Sequence, residues 1–152
     1  MQIRLSRLIY SGIVFLFLLL TTGITVADYV NADLISHFGG PVQNVAVDGN
    51  YAYIGQGQDL VVLDITNVSS PSEVGRLITP STVWSVTISG NYAYVASDDL
   101  MIVDISEPST PTLVGKYDID GSVDVAGNYA YVAAGDNGLA ILDISDPSSP
   151  LL

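Results

Sequence analysis

The sequence contains no cysteine, a single histidine and only four basic residues. Without cysteine the chain can form no disulfide, thiolate metal site or thiol nucleophile, so its apolar core must hold the fold together. One histidine, His37, leaves little from which to build a zinc site or a catalytic triad. We therefore expect no catalytic residue, no metal site and no cofactor, and we interpret the chain as a protein other than an enzyme.

Basic charge is scarce where acidic charge is plentiful. All sixteen acidic residues lie in residues 28–152, which keep only Arg76 and Lys116, so sixteen against two leaves this part with a net charge of −14. Such a chain cannot neutralise phosphates, which excludes nucleic acid as a partner, and anionic lipid headgroups repel it. The partners we expect are a protein or cell-surface molecule and, as a homo-oligomer, further copies of the chain.

The N-terminal stretch has the layout of a targeting segment. Arg4 and Arg7 precede an apolar run that begins at Leu8, and small residues stand at positions −3 and −1 of a cut after Ala27. This layout predicts a signal peptide over residues 1–27 and a secreted or cell-surface domain over residues 28–152. The alternative is an uncleaved membrane anchor, since the 19 residues up to Val26 are about enough to span a bilayer.

Three short patterns recur in the same order from residue 39 onwards. The first is GNYAY, at residues 49–53, 90–94 and 127–131. An apolar run that ends in aspartate follows each copy, and a Ser- and Pro-rich turn follows the run. The final aspartates are Asp64, Asp104 and Asp143, spaced 40 and 39 residues apart. A repeat of this length predicts stacked units of one supersecondary structure.

Each unit is predicted to contain four strands. In the second unit we place them at residues 83–89, 92–96, 100–106 and 112–119. Gly-Asn between the first two strands suits a type II′ hairpin turn. Proline in the third link ends the strand, because it cannot donate a ladder hydrogen bond. The segments YAYVA and LMIVDI are apolar on both faces, as in sheets covered on both sides.

These patterns predict an all-β fold, a β-propeller-like array of about three four-stranded antiparallel blades. The units cover about residues 39–78, 79–119 and 120–152. DLMIVDIS, followed by PSTPTLVG and GNYAYVA, resembles the LVIVD repeat of exported bacterial and archaeal proteins. The resemblance covers Gly39 to the C-terminus. It implies propeller blades in a secreted or surface-exposed protein, and it brings neither a catalytic activity nor catalytic residues.

The number of blades raises a question of closure. The third unit stops at Leu152, where its fourth strand should begin, whereas residues 32–38 resemble a fourth strand placed one unit too early. We hypothesise that residues 32–38 complete the last blade. Because propellers usually have four to eight blades, we expect either a part of a longer propeller or an association of chains, such as two chains giving six blades, in preference to a curved three-blade monomer.

The residues that stand out are better explained by structure than by chemistry. The three final aspartates are expected to be buried and to hold the turn that follows them. The tyrosine pairs lie two apart on one strand face, so packing between blades is favoured over sugar stacking; the pairs are Tyr51/Tyr53, Tyr92/Tyr94 and Tyr129/Tyr131.

Three weaker signals accompany these. Asp118, Asp120, Gly121 and Asp124 resemble part of a calcium loop, but Tyr129 stands at the twelfth position, where an EF-hand has glutamate, so calcium binding is disfavoured. Asn67-Val68-Ser69 is a glycosylation sequon in a predicted turn. Trp84 occupies a first strand where the other units have Asn44 and Ser122, and packing is favoured over binding there.

The function predicted from the sequence is that of a non-catalytic secreted or cell-surface module, an interaction or adhesion scaffold. One alternative is an enzymatic or ligand-binding propeller whose site is completed by missing blades or by a partner chain. Another is a truncated fragment of a longer repeat protein. An enzyme should break its own repeat with titratable residues clustered at one end of the ring. The deviations in this chain are few and scattered, which favours the scaffold.

Overall fold

The computed structural model describes residues 34–152, so the predicted signal peptide at 1–27 lies outside the described residues. The fold is all-β, as predicted, with three antiparallel sheets that follow one another along the chain. Within residues 34–152 no helix has the length and the apolar character needed to cross a membrane.

The three sheets are the predicted blades. Blade 1 contains β1 (Val42–Asp48), β2 (Tyr51–Gln56), β3 (Asp59–Asp64) and β4 (Ser72–Ile78). Blade 2 contains β5 (Ser85–Ser89), β6 (Tyr92–Ala96), β7 (Leu100–Asp104) and β8 (Thr112–Tyr117). Blade 3 contains β9 (Ser122–Ala126), β10 (Tyr129–Ala133) and β11 (Leu139–Asp143), with a short 3-10 turn at Gly135–Asn137. Each strand pairs with its neighbours in chain order, and the three sheets stay separate, so the array is propeller-like but not closed.

The hairpin turn predicted at each GNYAY is confirmed. Gly49, Gly90 and Gly127 have φ values of 54°, 57° and 60°, and none of the residues other than glycine in the described part has a positive φ. A type I′ turn would need a positive φ at the asparagine too, whereas a type II′ turn needs it only at the glycine. Glycine at this position therefore sets the first hairpin of every blade.

The strands are apolar on both faces because blade 2 is covered on both sides. One core lies between blades 1 and 2, where Tyr53 and Leu60 meet Val95 and Val103. A second core lies between blades 2 and 3, where Tyr94 and Ile102 meet Val132 and others. Alternate residues of β6 and β7 thus enter different cores, which explains the absence of a polar face in their sequences.

Two glycines let the blades approach one another closely. A Cβ atom on Gly75 would lie 2.1 Å from the carbonyl oxygen of Pro108, and one on Gly115 would lie 2.0 Å from that of Pro147. Both glycines stand in the fourth strand of a blade, and both prolines stand in the Ser/Pro turn of the next blade. The outer strand of each blade therefore rests directly on the turn of its successor.

Several predicted strand bounds were too wide. β5 begins two residues later than predicted, and β7 and β8 each end two residues earlier. These ends lie where the chain leaves its neighbouring strand for the links between strands. In blade 3, Leu151 stands at a fourth-strand position and exchanges two backbone hydrogen bonds with Asp143, of 2.7 and 3.0 Å.

The hypothesis that residues 32–38 complete the last blade needs correction for residues 34–38, the part that the structure describes. They form no strand and do not pair with β11. The Ser36 hydroxyl instead donates to the Val68 carbonyl, and Phe38 packs on the side of blade 1 that faces away from blade 2. The reason is distance along the array: blade 2 separates blade 3 from blade 1, and only three residues link Phe38 to β1.

Candidate functional site

One face of blade 3 carries apolar side chains that are exposed or half-buried within the part of the chain that the structure describes. It consists of the positions that are buried between blades elsewhere in the array. Leu100 of blade 2 is 0% exposed, whereas its equivalent in blade 3, Leu139, is 65% exposed. The strand registers are the same, since Tyr131 pairs with Ile141 as Tyr94 pairs with Ile102. We call this surface the tail face; it consists of Tyr129, Tyr131, Ala133, Leu139 and Ile141.

The opposite end of the array carries the complementary surface. Val45 on blade 1 is 57% exposed, whereas its equivalent Val86 is 4% exposed, because Val86 faces blade 1. Val47 is equally open, but the remaining residues of this face are buried beneath Phe38 and Ile65. We call this surface the head face; it consists of Val45, Val47, Ala52, Ile54, Val61 and Leu63.

Residues 34–38, which we call the arm, lie on the head face in a specific place. Val68, whose carbonyl accepts the Ser36 hydrogen bond, stands in the turn of blade 1 where Pro108 and Pro147 stand in the other turns. Gly75 approaches the Pro108 carbonyl in the same way. The arm therefore occupies the position of the fourth strand of a blade that would precede blade 1. This agrees with the sequence-based view of a fourth strand placed one unit too early.

A cleft runs beside the free edge of β11. Its volume is about 670 Å³, and blade 3 contributes Leu139 and Ala140 to its wall. Its other lining residues are Asp98, Tyr117, Asp118, Ile119, Asp120, Asn137 and Leu152. In blades 1 and 2 the corresponding edge of the third strand is covered by the fourth strand. The cleft is therefore the space beside β11 that a longer fourth strand would fill.

The residues that resemble part of a calcium loop do not come together. Asp118 and Asp120 line the cleft, but the Asp124 carboxylate faces elsewhere and accepts the Val125 N–H at 2.9 Å. Across residues 34–152, no three acidic or histidine side chains form a group that could hold a metal ion. His37 lies exposed on the arm.

The three final aspartates hold turns, as predicted, although the expectation that they are buried is wrong. Asp64 and Asp104 are half-buried, and Asp143 is exposed, because each strand ends at its aspartate. Each carboxylate accepts the backbone N–H of the residue two places on, at 2.8 Å. Hydrogen bonds from that residue hold the pKa of each carboxyl below its ordinary value.

The tyrosines confirm the prediction of packing between blades in two units of three. Tyr53 and Tyr94 are buried in the two cores, and burial raises the pKa of each phenol. In blade 3 the pair lies on the tail face, where Tyr129 is exposed and Tyr131 half-buried.

Neither Trp84 nor Asn67, the acceptor residue of the sequon, belongs to the residues that define the tail face or the head face. Trp84 precedes β5 and is exposed. Its predicted alignment is wrong by one residue, because Ser85, and not Trp84, pairs as Asn44 and Ser122 do. In the sequon, the Asn67 side-chain oxygen accepts the Ser69 N–H at 3.1 Å in an exposed turn.

Polar contacts between blades were missed by the sequence analysis. The Val86 N–H donates to the Asn44 side-chain oxygen at 2.9 Å, and the Thr87 hydroxyl donates to the Val123 carbonyl at 2.9 Å. The one signal was a polar side chain within a first strand, Asn44 in β1 and Thr87 in β5. A second omission was that both basic residues of the folded part occupy one repeat position: Arg76 pairs with Asp59, and Lys116 pairs with Asp99.

Comparison with known proteins agrees with this architecture. The family model of the LVIVD repeat matches three times, at residues 39–79, 80–119 and 121–152. These bounds follow the three blades and together cover most of the chain. None of the curated proteins matches the chain. Because the matches cover well over half of the sequence, the chain belongs to the LVIVD repeat family.

Proposed function

We propose that the chain is a non-catalytic interaction scaffold that works outside the cytoplasm, secreted or on the cell surface, and binds protein through its tail face. The tail face itself carries this proposal. Leu139, Ile141 and Tyr129 are exposed there at positions whose equivalents in blade 2 are fully or partly buried. Contiguous exposed apolar side chains of this kind mark interaction sites.

The chemistry of the tail face favours a protein as its ligand. The branched aliphatic side chains of β11 lie beside the two tyrosines of β10, a composition typical of the apolar centre of protein interfaces. Asp124 and Asp143 stand at the margin of the face and are exposed, which makes a polar rim. The strongly acidic chain disfavours polyanions such as nucleic acid as ligands. The predicted signal peptide and the resemblance to the LVIVD repeat of exported proteins support the location outside the cytoplasm.

One observation favours a second candidate, a ligand-binding propeller whose site is completed by another chain. The cleft beside β11 contains three carboxylates, from Asp98, Asp118 and Asp120, at one end of the array. If further blades or a partner chain cover this cleft, it becomes an enclosed acidic pocket. A ligand bound there would be cationic or rich in hydroxyl groups.

Photo-cross-linking in the producing cell tests the proposed function. A photoreactive amino acid is placed at Ile141 on the tail face and, as a control, at Leu113. Leu113 is also an exposed apolar residue, 44% accessible, but it lies on the outer strand of blade 2. We expect a protein adduct from position 141 in the exported fraction and none from position 113. Equal adducts from both positions, or a chain that stays in the cytoplasm, would contradict the proposal.

A further inference from the structure

We propose that the protein bound by the tail face is a second copy of this chain, which presents its head face and inserts its arm beside β11, so that two chains close a six-bladed ring. This inference rests on the proposed function in one respect only, namely that the tail face binds protein. It names the partner and the contact that the partner makes.

The proposed contact already exists twice within the chain. The tail side of blade 1 packs on the head side of blade 2, and the tail side of blade 2 packs on the head side of blade 3. The tail and head faces consist of these same repeat positions. A contact between chains would therefore bury Val45 and Val47 as Val86 and Ile88 are buried or half-buried now.

The position of the arm supports the same arrangement. The arm already lies where the fourth strand of a preceding blade would lie, with Ser36 on the turn of blade 1. A blade 3 docked in front of the head face would thus meet the arm along the edge of β11. Within residues 34–152, the backbone groups of that edge pair with no other strand beyond the bridge to Leu151, and free edges of this kind accept an added strand.

Blade 2 defines the register in which the arm of the partner would pair with β11. In blade 2, Tyr117 pairs with Leu100 and Lys116 pairs with Met101. The same register in blade 3 places Phe38 of the partner opposite Leu139, and His37 of the partner opposite Ala140. Ser36, His37 and Phe38 of the partner then each have a defined neighbour on β11.

Residues 35–38 of the partner and Leu151 and Leu152 take different places in the composite strand, whereas Leu34 of the partner would share the place of Leu152 and must turn away from β11. Leu151 is opposite Asp143, just as Thr112 is opposite Asp104, so Leu151 and Leu152 hold the first two places of the fourth strand. The partner's residues 35–38 take the next four places. The cleft lies along this stretch, with Leu152 at its wall. The space, the unpaired edge and the arm therefore match in position.

Symmetry gives the number of chains. A tail-to-head contact is heterologous, and such contacts either close into a ring or continue as a filament. Two chains of three blades make six, which lies within the usual range of four to eight. Nine blades from three chains would exceed that range.

Native mass and a pair of complementary variants test the arrangement. The protein is purified as its producing cell processes it, and its mass is measured by light scattering over a range of concentrations. We expect a dimer for the unchanged chain. Ile141→Lys places a charge on the tail face, and Val47→Lys places one on the head face. Each should raise the dissociation constant of the dimer at least ~30-fold. Leu113→Lys is the control and should leave it unchanged.

Mixing the two variants separates the head-to-tail arrangement from others. The mixture retains one intact contact, between the tail of the Val47→Lys chain and the head of the Ile141→Lys chain. It should therefore associate where neither variant does alone. Loss of association with Ile141→Lys but not with Val47→Lys would indicate a tail-to-tail contact and overturn the proposal. A monomer or a disordered aggregate for the unchanged chain would overturn it as well.

A disulfide tests the register directly, because the chain has no other cysteine. Residues directly opposite on antiparallel strands have Cα atoms about 4.5–5.5 Å apart, within the range for a disulfide. A chain with only His37→Cys, mixed with a chain with only Ala140→Cys, should form a disulfide-linked heterodimer on mild oxidation. Ala126→Cys, on the far strand of blade 3, replaces Ala140→Cys as the control and should not form one.

The outcomes also separate this inference from the proposed function. If His37→Cys and Ala140→Cys placed in one chain yield only a disulfide within that chain, the arm closes on its own blade and the inference fails. If no disulfide forms while position 141 cross-links to a different protein, the inference fails and the proposed function stands. If position 141 gives no adduct at all, both fail.

Discussion

Blades 2 and 3 contain the same five-residue strand, YAYVA, at residues 92–96 and 129–133, yet in different surroundings. In blade 2, Tyr94 and Ala96 are buried, whereas in blade 3 Tyr131 is only half-buried and Ala133 is exposed. The strand and its hairpin are the same in both blades. Burial is therefore a property of position in the array and not of the strand sequence, as expected where each repeat contacts only its neighbours.

The difference implies an uneven distribution of stability. Blade 2 is stabilised by both cores, while blade 3 packs on one side only. Elements with fewer buried contacts open at lower cost than the global free energy of unfolding. Four changes test how far this contrast holds, from the largest expected effect to the smallest.

The largest effect is expected from one isoleucine position compared across the two blades. Ile102→Ala removes a fully buried side chain and should lower the free energy of unfolding by about 2–5 kcal/mol. Ile141→Ala changes the equivalent side chain, which is 48% exposed in the monomer, and should cost less than half as much. Urea unfolding monitored by circular dichroism, at a concentration at which the chain is monomeric, measures both. Equal losses would contradict the dependence of burial on position in the array.

The second effect is expected from the close contact between blades 2 and 3. Gly115→Ala places a methyl group 2.0 Å from the Pro147 carbonyl oxygen, so the outer strand must move off the turn of the next blade. Overpacking of this kind costs about 1–3 kcal/mol. Gly39→Ala is the matched control, because no atom lies within 4 Å of its added methyl group, and it should change stability by less than about 0.5 kcal/mol. Hydrogen exchange should show the loss of protection concentrated in blade 3.

The repeat and the hairpins could be predicted from the sequence because they depend on local rules. A type II′ turn needs glycine at one position, and strands apolar on both faces need neighbours on both sides. The end faces could not be predicted in this way, because the sequence YAYVA is the same whether a neighbouring blade buries the strand or leaves it exposed. The arm illustrates the limit: its likeness to a fourth strand was visible, but its place on Val68 depends on the order of the blades in space.

The aspartates show how a local pattern can mislead about burial. Asp104 follows four buried residues, and that run predicts its burial, but the strand ends at this residue. Its carboxylate lies in the turn and accepts the Ser106 N–H. The turn geometry was predictable from the Ser/Thr-rich segment. The partial exposure of the Asp104 carboxylate was not, because it depends on where the pairing between β7 and β8 ends.

The third effect is a pH dependence that differs between the blades. The hydrogen bond from the Ser106 backbone N–H, followed by that from its hydroxyl, lowers the pKa of Asp104 in the folded state. This stabilisation is fully present above the unfolded pKa of about 3.9 and is lost as the pH falls through the lower folded value. Asp104→Asn should therefore be less stable than the unchanged chain at neutral pH, and the gap should narrow below about pH 4.

Acid unfolding of two matched variants measures this effect. Asp143→Asn changes the equivalent turn in blade 3, where the aspartate is exposed and the turn ends an open blade. We expect a smaller loss at neutral pH from Asp143→Asn than from Asp104→Asn. A gap between Asp104→Asn and the unchanged chain that persists unaltered to about pH 2 would show that the carboxylate does not act through its charge.

The smallest effect concerns one hydroxyl that blade 3 lacks. Thr87 on blade 2 donates to the Val123 carbonyl of the next blade, whereas the equivalent position on blade 3 is Asp124, whose carboxylate cannot donate at neutral pH. In a head-to-tail dimer Asp124 would face the Val45 carbonyl of the partner. Asp124→Thr supplies the missing donor, and a neutral hydrogen bond of about 0.5–1.5 kcal/mol corresponds to a dissociation constant about 2- to 10-fold lower.

The matching loss is Thr87→Val, which removes the same bond within the chain and should lower the free energy of unfolding by about 0.5–1.5 kcal/mol without altering the dissociation constant. Asp124→Val separates the gain of a donor from the loss of a negative charge, since it removes the carboxylate and supplies no hydroxyl. If Asp124→Val tightens the dimer as much as Asp124→Thr does, charge alone is responsible, and the contact between chains does not reproduce the polar contact between blades 2 and 3.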